Sequence, residues 1–153
     1  MKTAEVLATE LETLAPTTNP VVAAQRFAAA YRRYMEDSVA NAIPVSASAL
    51  SPCEAAMIGA LPFTTSSTPA LLQAALVAFW GPIVASPGLF FSAATVVTPP
   101  PLAVAAPLAT TFAANIGANL SLGQAAAEVA ADLHAGTLGA TATFPGPVVA
   151  PIL

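Results

Sequence analysis

Apolar residues recur at helical spacing at the start of the chain. Leu7, Leu11 and Leu14 are four and three residues apart, with glutamates on intervening positions. This period is typical of an amphipathic helix that buries one stripe and leaves the other in water. Thr3 is of the residue type that caps a first turn. We therefore predict a first helix that ends at about Leu14.

A second helix start follows a short linker. Asn19 stands directly before Pro20, and this pairing is typical of the first turn of a helix. We predict that the second helix runs from Pro20 to about Val39. Together the two helices predict an amphipathic helical hairpin over residues 1–43.

After residue 43 the pattern becomes largely apolar, punctuated by proline, glycine and threonine. Capping-box patterns that begin at Ser51 and Ser121 mark two helix starts, and glycine or proline marks the helix ends. We predict a turn over residues 62–67 and take Pro107 as an alternative start for the third of these helices. The predicted alanine-rich helices cover about residues 52–61, 69–80, 102–116 and 122–136.

Two segments have the composition of strands. Residues 89–98 are rich in Phe, Val and Thr, and residues 137–144 alternate apolar positions with Thr or Gly. Residues 94–100 also resemble residues 140–146, which suggests two copies of a helix–turn–strand unit. We expect the two strands to pair as a small sheet on which helices pack.

These elements predict an α+β fold that is mostly helical. Residues 1–43 form the helical hairpin, and residues 44–147 form a charge-poor α+β assembly domain in which Ala-rich helices pack on a small sheet. Residues 148–153 are apolar and contain proline. We expect them to form an extended C-terminal arm that reaches onto a neighbouring molecule.

Charge is scarce and unevenly placed. Charged residues make up 8 % of the 153 residues, the formal net charge is −4, and residues 55–153 contain only Glu128 and Asp132. Affinity for nucleic acid comes largely from basic side chains on phosphates. The basic residues all lie in the first quarter of the chain, so we expect no direct nucleic-acid contact. They are Lys2, Arg26, Arg32 and Arg33.

A membrane-inserted protein is one alternative, because the mean hydropathy is +0.74. The longest apolar candidate, residues 69–91, is interrupted by Gly81–Pro82 and Pro87–Gly88 and falls short of about 20 continuous apolar residues. No Lys or Arg after Arg33 could set a membrane topology. The sequence therefore disfavours membrane insertion.

Candidate catalytic side chains are few. His134 is the only histidine and Cys53 the only cysteine, and no nucleophile elbow, phosphate loop or Cys/His metal spacing occurs. We interpret His134 as a residue of a helix C-terminus, Cys53 as a small buried residue, and Glu128 with Asp132 as a solvated helix face. We predict no catalytic residue, no cofactor and no metal, and hence a protein that is not an enzyme.

A group of four aromatic residues admits two interpretations. Aromatic side chains at a helix–strand junction commonly pack in a core, but they could also line a pocket for a small apolar ligand. A binder of small apolar ligands is therefore a second alternative. The four residues are Phe79, Trp80, Phe90 and Phe91.

A surface so poor in charge indicates an assembly. Large exposed apolar patches usually mark interfaces, so copies of the chain or partner proteins are expected to cover the second two thirds of this one. The predicted interface lies in the strands and the arm. Its residues are Phe90, Phe91, Val96, Val97, Leu138, Phe144, Val148, Val149, Ile152 and Leu153.

The Ala/Thr/Pro-rich, charge-poor residues 55–153, with threonine-alternating strands and a terminal arm, resemble small virion structural proteins of tailed bacteriophages. Such proteins include head–tail connector, neck, tail-completion and capsid-decoration subunits. The resemblance implies a non-enzymatic structural subunit that forms rings or lattices. It also implies sister subunits and neighbouring structural proteins as partners, and a place in a virion assembled in the host cytoplasm.

Overall fold

A computed structural model describes residues 3–14, 17–61, 69–118 and 121–153 of the chain. These residues form a mostly helical α+β fold, as the sequence predicts. The helices are α1 Ala4–Glu12, α2 Pro20–Met35, α3 Ser51–Ala60, α4 Pro69–Ala85, α5 Pro87–Phe90, α6 Ala105–Ala118 and α7 Leu122–Thr137, and a 3-10 turn covers Ala47–Leu50. The strands are β1 Val39–Ala40, β2 Ile43–Pro44, β3 Val96–Thr98, β4 Thr141–Phe144 and β5 Val148–Pro151.

Helix α2 begins where its cap predicts. The side-chain oxygen of Asn19 accepts hydrogen bonds from the backbone N–H groups of Val21 and Val22, at 3.0 and 3.3 Å. The helix ends at Met35, four residues before the predicted end, because β1 and β2 form an antiparallel hairpin directly after it. The predicted helical hairpin is modified in one respect, since α1 packs chiefly along α7 and less extensively on α2.

One hydrophobic core joins the three predicted regions of the chain. Leu7 of α1, Phe79 of α4 and Ile152 after β5 all belong to the same cluster of buried residues. Within the cluster, the ring of Tyr31 meets that of Phe79 edge to face, with 4.9 Å between centroids. The helices, the sheet and the C-terminal residues therefore fold together.

Helix α4 continues past its predicted end. A break at Gly81–Pro82 is expected because proline inside a helix lacks an N–H and crowds the preceding turn. The helix nevertheless runs to Ala85, with Pro82 inside it and Ile83 fully buried. Burial of such a side chain contributes about 1.5–3 kcal/mol, which offsets most of the cost of an internal proline. The predicted turn over residues 62–67 lies outside the described residues.

The predicted strand over residues 89–98 is wrong for residues 89–95. Pro87 opens the short helix α5, because its fixed φ suits a first helical turn. Phe90 and Phe91 are then both buried, which two consecutive residues of a half-exposed strand cannot be. Only Val96–Thr98 form a strand, β3.

The two segments with similar sequences pair as predicted. Strand β4 lies in the middle of an antiparallel sheet of order β3-β4-β5. Val97, Ala142 and Ala150 stand opposite one another in the register and are buried on the inner side. This row attaches the sheet to the helical core.

The start of α7 confirms the capping box at Ser121, whereas the one predicted at Ser51 does not form, because Ser51 is already the first residue of α3 and no side chain caps that helix. The Ser121 hydroxyl accepts from the backbone N–H of Gln124 at 3.3 Å, and the Gln124 side chain accepts from the backbone N–H of Ser121 at 3.0 Å. The helix ends at Thr137 and includes Gly136, which the sequence predicts as its stop. Helix α6 begins at Ala105, between its two predicted starts, Leu102 and Pro107.

The predicted C-terminal arm is extended but does not reach away from the molecule. Its first residues form β5, and the Ile152 N–H donates to the carbonyl of Ala140 at 2.9 Å. Leu153 exchanges two backbone hydrogen bonds with Val39, at 2.8 and 2.9 Å. The segment folds onto its own chain because Ala150 and Ile152 alternate toward the core and are buried there.

Candidate interaction surface

The outer side of the three-stranded sheet presents an uncharged surface. One row across the strands consists of Val96, Thr143 and Val149, and the next row consists of Thr98, Thr141 and Pro151. Val96 and Val149 are 53 % and 62 % exposed, and Leu153, which follows on the same side of the last strand, is 65 % exposed. We call these seven residues the sheet face.

Strand alternation explains why this surface is apolar. The inner positions of the strands are occupied by residues that pack on the helices, so the valines and threonines between them must face outward. β-Branched side chains suit a pleated surface. Thr95 lies just before β3. Its hydroxyl donates to the carbonyl of Thr143 at 3.1 Å, so this hydroxyl has a hydrogen-bond partner within the chain.

The structure divides the predicted interface residues into two groups. One group of five is exposed at 43–65 % and remains available to a partner. These residues are Val96, Leu138, Val148, Val149 and Leu153.

The second group of five belongs to the core of the chain itself, each being at most 5 % exposed. Strand alternation turns Val97 and Phe144 inward, and Ile152 does the same at the end of the chain. Phe90 is the last residue of α5 and Phe91 comes directly after it, and both side chains are buried in the core. A partner could not contact these side chains, so the candidate surface does not include them. They are Phe90, Phe91, Val97, Phe144 and Ile152.

Sequence reasoning missed a second uncharged surface, on helix α4. Leu72, Leu76 and Phe79 form a buried stripe at helical spacing, yet the opposite side of the helix is apolar as well. Val77, Val84 and Leu89 are 53 %, 40 % and 69 % exposed. A helix that is apolar all round is usually covered on all sides, and this signal was present in the sequence.

This second surface contains a notch and a depression. Gly81 lies between the two exposed valines, and no atom is within 4 Å of the position that a Cβ would take there. Beyond Ala85, the helix borders a surface depression of about 370 Å³ that Leu89 also lines. We call Val77, Gly81, Val84, Ala85 and Leu89 the helix face.

Several of the described charged residues, which lie outside both faces, form ion pairs with one another. Arg33 of α2 contacts Glu10 of α1 at 2.7 Å, and Arg32 contacts Glu54 of α3 at 2.9 Å. Arg32 also forms the i,i+4 pair with Glu36, at 3.4 Å. The arginines on this side of the molecule thus connect helices of the same chain.

The only histidine lies in a hydrogen-bonded group between α2 and α7. The hydroxyl of Tyr34 is 2.5 Å from Nδ1 of His134 and 3.2 Å from the Thr137 hydroxyl, which donates to the His134 carbonyl at 2.8 Å. Burial lowers the pKa of His134 and raises the pKa of Tyr34, because both charged forms lose hydration. The group joins two helices through polar contacts inside the molecule.

The two carboxylates of α7 are bound by α6. Thr111 donates to Asp132 at 2.6 Å, and the Asn115 amide, oriented to donate, lies 2.6 Å from a carboxylate oxygen of Glu128. The predicted solvated face is therefore a helix–helix contact in part. Among the described residues, no group of three His, Cys, Asp or Glu side chains could hold a metal ion.

The four aromatic residues do not surround a ligand pocket. All four are buried in the core, where the Trp80 indole N–H donates to the Tyr31 hydroxyl at 3.4 Å. An apolar cavity of about 400 Å³ instead opens between α1, α2, α4, α6 and α7. Its lining residues are Leu11, Leu14, Pro20, Ala23, Ala24, Phe27, Leu61, Leu72, Phe112, Leu122, Ala125, Ala126 and Val129.

Two findings bear on the class of the protein. Across the described part of the chain, every helix is too short or too polar to cross a membrane. Neither a protein-family model, nor a curated protein, nor a solved structure matches the chain. The geometry of the exposed surfaces is therefore the basis for a functional proposal.

Proposed function

We propose that the chain is a non-enzymatic structural subunit of a symmetric assembly built from copies of itself. The observation that carries this proposal is the sheet face, on which Val96, Val149 and Leu153 are all more than half exposed and no position is charged. Exposed apolar side chains on an uncharged surface are typical of protein–protein interfaces. A second copy that covers the sheet face removes this surface from water.

The size of the molecular surface supports the same proposal. The chain exposes 7294 Å², close to the roughly 7,100 Å² expected for a compact monomer of its mass. The surface is thus of ordinary extent, although only 12 of the 153 residues are charged. Interspersed charges of both signs normally keep the surface of a monomer hydrated. Contact between copies accounts for a surface with so few charged residues.

The resemblance of residues 55–153 to small virion proteins supplies a biological setting. In this proposal the chain is a component of a tailed-phage particle, of the connector or neck, tail-completion or capsid-decoration kind. Its partners are sister subunits and neighbouring structural proteins of the same particle, and it acts in the virion after assembly in the host cytoplasm. The surface contacts act through packing and involve neither cofactor nor nucleic acid.

Light scattering after size-exclusion chromatography tests the proposal. The wild-type chain is expected to elute with a mass several times its 15.2 kDa, and Val149→Asp is expected to shift it toward the monomer, because burial of an unpaired carboxylate is costly. Val21→Asp is the matched control: Val21 is 38 % exposed in the first turn of α2, where a carboxylate is favourable. A wild-type chain that stays monomeric at high concentration would contradict the proposal.

The apolar cavity favours a second candidate function, the binding of a small uncharged apolar ligand. Its volume of about 400 Å³ lies in the range of ligand sites, and every lining side chain is a hydrocarbon. The fluorescent probe N-phenyl-1-naphthylamine is expected to bind at one saturable site, and Ala125→Phe is expected to weaken this binding at least tenfold. Ala131→Phe, at an exposed position of the same helix, is the control. Unchanged binding to Ala125→Phe would exclude the cavity.

A further inference from the structure

The helix face has a regular geometry. Val77, Gly81 and Val84 follow one another at intervals of four and three residues and so lie along one side of α4. The two valines are seven residues apart, which corresponds to about 10.5 Å along the helix axis. Gly81 leaves the space between them open. The side of α4 that points away from the core therefore presents two apolar projections with a notch between them.

The sheet face has a matching spacing. Val96 and Val149 lie on the two outer strands on either side of Thr143. Two strand spacings separate them, which is about 9.6 Å. A helix packed against a sheet is one of the common ways in which proteins bury apolar surface. An α4 helix laid across the strands can bring both of its valines onto this row at the same time.

Burial of both faces favours a contact between unlike faces over a contact between two like faces. A stable interface takes about 800 Å² from each partner, which is about a ninth of the 7294 Å² that this chain exposes. A two-fold dimer through the sheet face would leave the helix face exposed to water. A two-fold dimer through the helix face would leave the sheet face exposed. A contact between unlike faces covers both on every interior copy. Neither face carries a charged side chain, so no Lys, Arg, Asp or Glu side chain has to be desolvated.

We infer that copies of the chain associate head to tail, with the helix face of one copy packed on the sheet face of the next. This inference rests on the proposed function and specifies its partner, a second copy, and both of its surfaces. Contacts between unlike faces continue from copy to copy, and they form a closed ring if the rotation closes and a filament if it does not. The depression beside Ala85 and Leu89 lies at the edge of this contact.

Two variants with one blocked face each provide the test. Val77→Asp blocks the helix face and Val149→Asp blocks the sheet face, and each variant alone is expected to be monomeric. When the two are mixed, Val77→Asp still has an intact sheet face and Val149→Asp an intact helix face. The mixture is therefore expected to form a heterodimer of twice the 15.2 kDa protomer mass and nothing larger.

The possible failures are distinguishable. A wild-type chain that is monomeric overturns the proposed function and this inference together. If the wild type assembles but one variant also assembles normally, or if the mixture stays monomeric, only the head-to-tail contact is overturned. Circular dichroism and urea unfolding establish that each variant folds. Val84→Lys and Val96→Lys repeat the experiment at a second exposed residue of each face, in case an aspartate variant does not fold.

Discussion

At the scale of single residues, Gly136 shows how a distant contact selects an amino acid. Its sequence position suggests a helix stop, yet it lies inside the last turn of α7. A Cβ at this position would be 2.0 Å from Cγ1 of Val104, a fully buried side chain. The segment before α6 thus lies too close to α7 for any residue larger than glycine at position 136. No local sequence signal reveals this contact.

Gly136→Ala is expected to destabilise the protein by about 1–3 kcal/mol, because the added methyl group overpacks the contact with Val104. Gly59→Ala is the matched control, since Gly59 is exposed in α3 with no atom within 4 Å of a Cβ. Alanine there is expected to stabilise by up to about 1 kcal/mol through helix propensity. Urea unfolding measures both effects, and equal effects of the two substitutions would contradict the packing argument.

The His134 imidazole is expected to make stability depend on pH. Burial lowers its pKa in the folded protein, whereas the unfolded chain has the ordinary value of about 6.5. Between these two pKa values the unfolded state binds more protons, so the free energy of unfolding falls as the pH decreases. The contribution of His134 is complete above the unfolded pKa and is lost as the pH falls through the folded one.

His134→Asn removes the titrating group and keeps an acceptor near the Tyr34 hydroxyl. Urea unfolding between about pH 7.5 and pH 5.5 is expected to show a smaller loss of stability for this variant than for the wild type. Carboxylates titrate in both proteins, so the difference between the two pH profiles isolates the imidazole. Parallel profiles would show that the pKa of His134 is the same in both states.

Sequence patterns reveal local roles of residues better than contacts across the chain. The prediction that Cys53 is buried is confirmed. This burial raises the pKa of its thiol to about 12. The hydrogen bond between Tyr34 and His134 was not predicted, because the two residues are 100 positions apart. Periodicity and capping rules describe neighbours along the chain and contain no information about such pairs.

At the scale of elements, helix starts were predicted more accurately than helix ends. The caps at Asn19 and Ser121 fix the starts of α2 and α7, because a side chain close in sequence satisfies their free N–H groups. The end of α4 depends on what the helix packs against, and burial of Ile83 carries it past Pro82. The same dependence on packing made Phe90 and Phe91 part of the core and not of a strand.

The C-terminal residues are expected to be essential for the stability of the protomer. Deletion of residues 148–153 removes the pairing partner of β4 and the buried Ile152 side chain. Loss of one such side chain alone costs about 1.5–3 kcal/mol. We therefore expect the deletion to lower the midpoint of thermal unfolding, measured by circular dichroism, by well over 5 °C.

Val149→Thr is the control for this deletion, since it keeps the strand backbone and a β-branched side chain at an exposed position. Its thermal midpoint is expected to lie close to that of the wild type. A shortened chain that melts at the wild-type temperature, but no longer assembles, would restore the interpretation of these residues as an arm for a neighbouring copy.

At the scale of the whole molecule, the proposed contact is expected to respond to temperature and salt in a characteristic way. Its two faces contain no charged side chain, so sodium chloride should have little screening effect on it. Apolar association weakens on cooling and is strengthened by sulfate. Analytical ultracentrifugation should therefore show smaller species at low temperature and larger ones in sulfate. Dissociation by moderate sodium chloride would indicate a contact held by charge.

The candidate surface was predictable only in part at this scale. The shortage of charge after residue 54 indicated interfaces, and five of the ten proposed residues are indeed exposed. The other five are buried because strand alternation and the core give each apolar residue an orientation that composition does not show. The apolar character of α4 on all sides was visible in the sequence, but the residues of the helix face were not, because exposure of Val77 and Val84 depends on which side of α4 the core occupies.

The pairing of Ala40 with Ile152 has a consequence for synthesis of the protein on the ribosome. These residues are about 110 positions apart, so the second edge of β1 emerges long before the C-terminal residues that pair with it. Loop closure over such a distance is slow, and β3 likewise emerges long before its partner β4. A nascent chain therefore exposes unpaired strand edges together with apolar side chains, which makes it prone to aggregate. Chaperone capture during translation is the expected outcome.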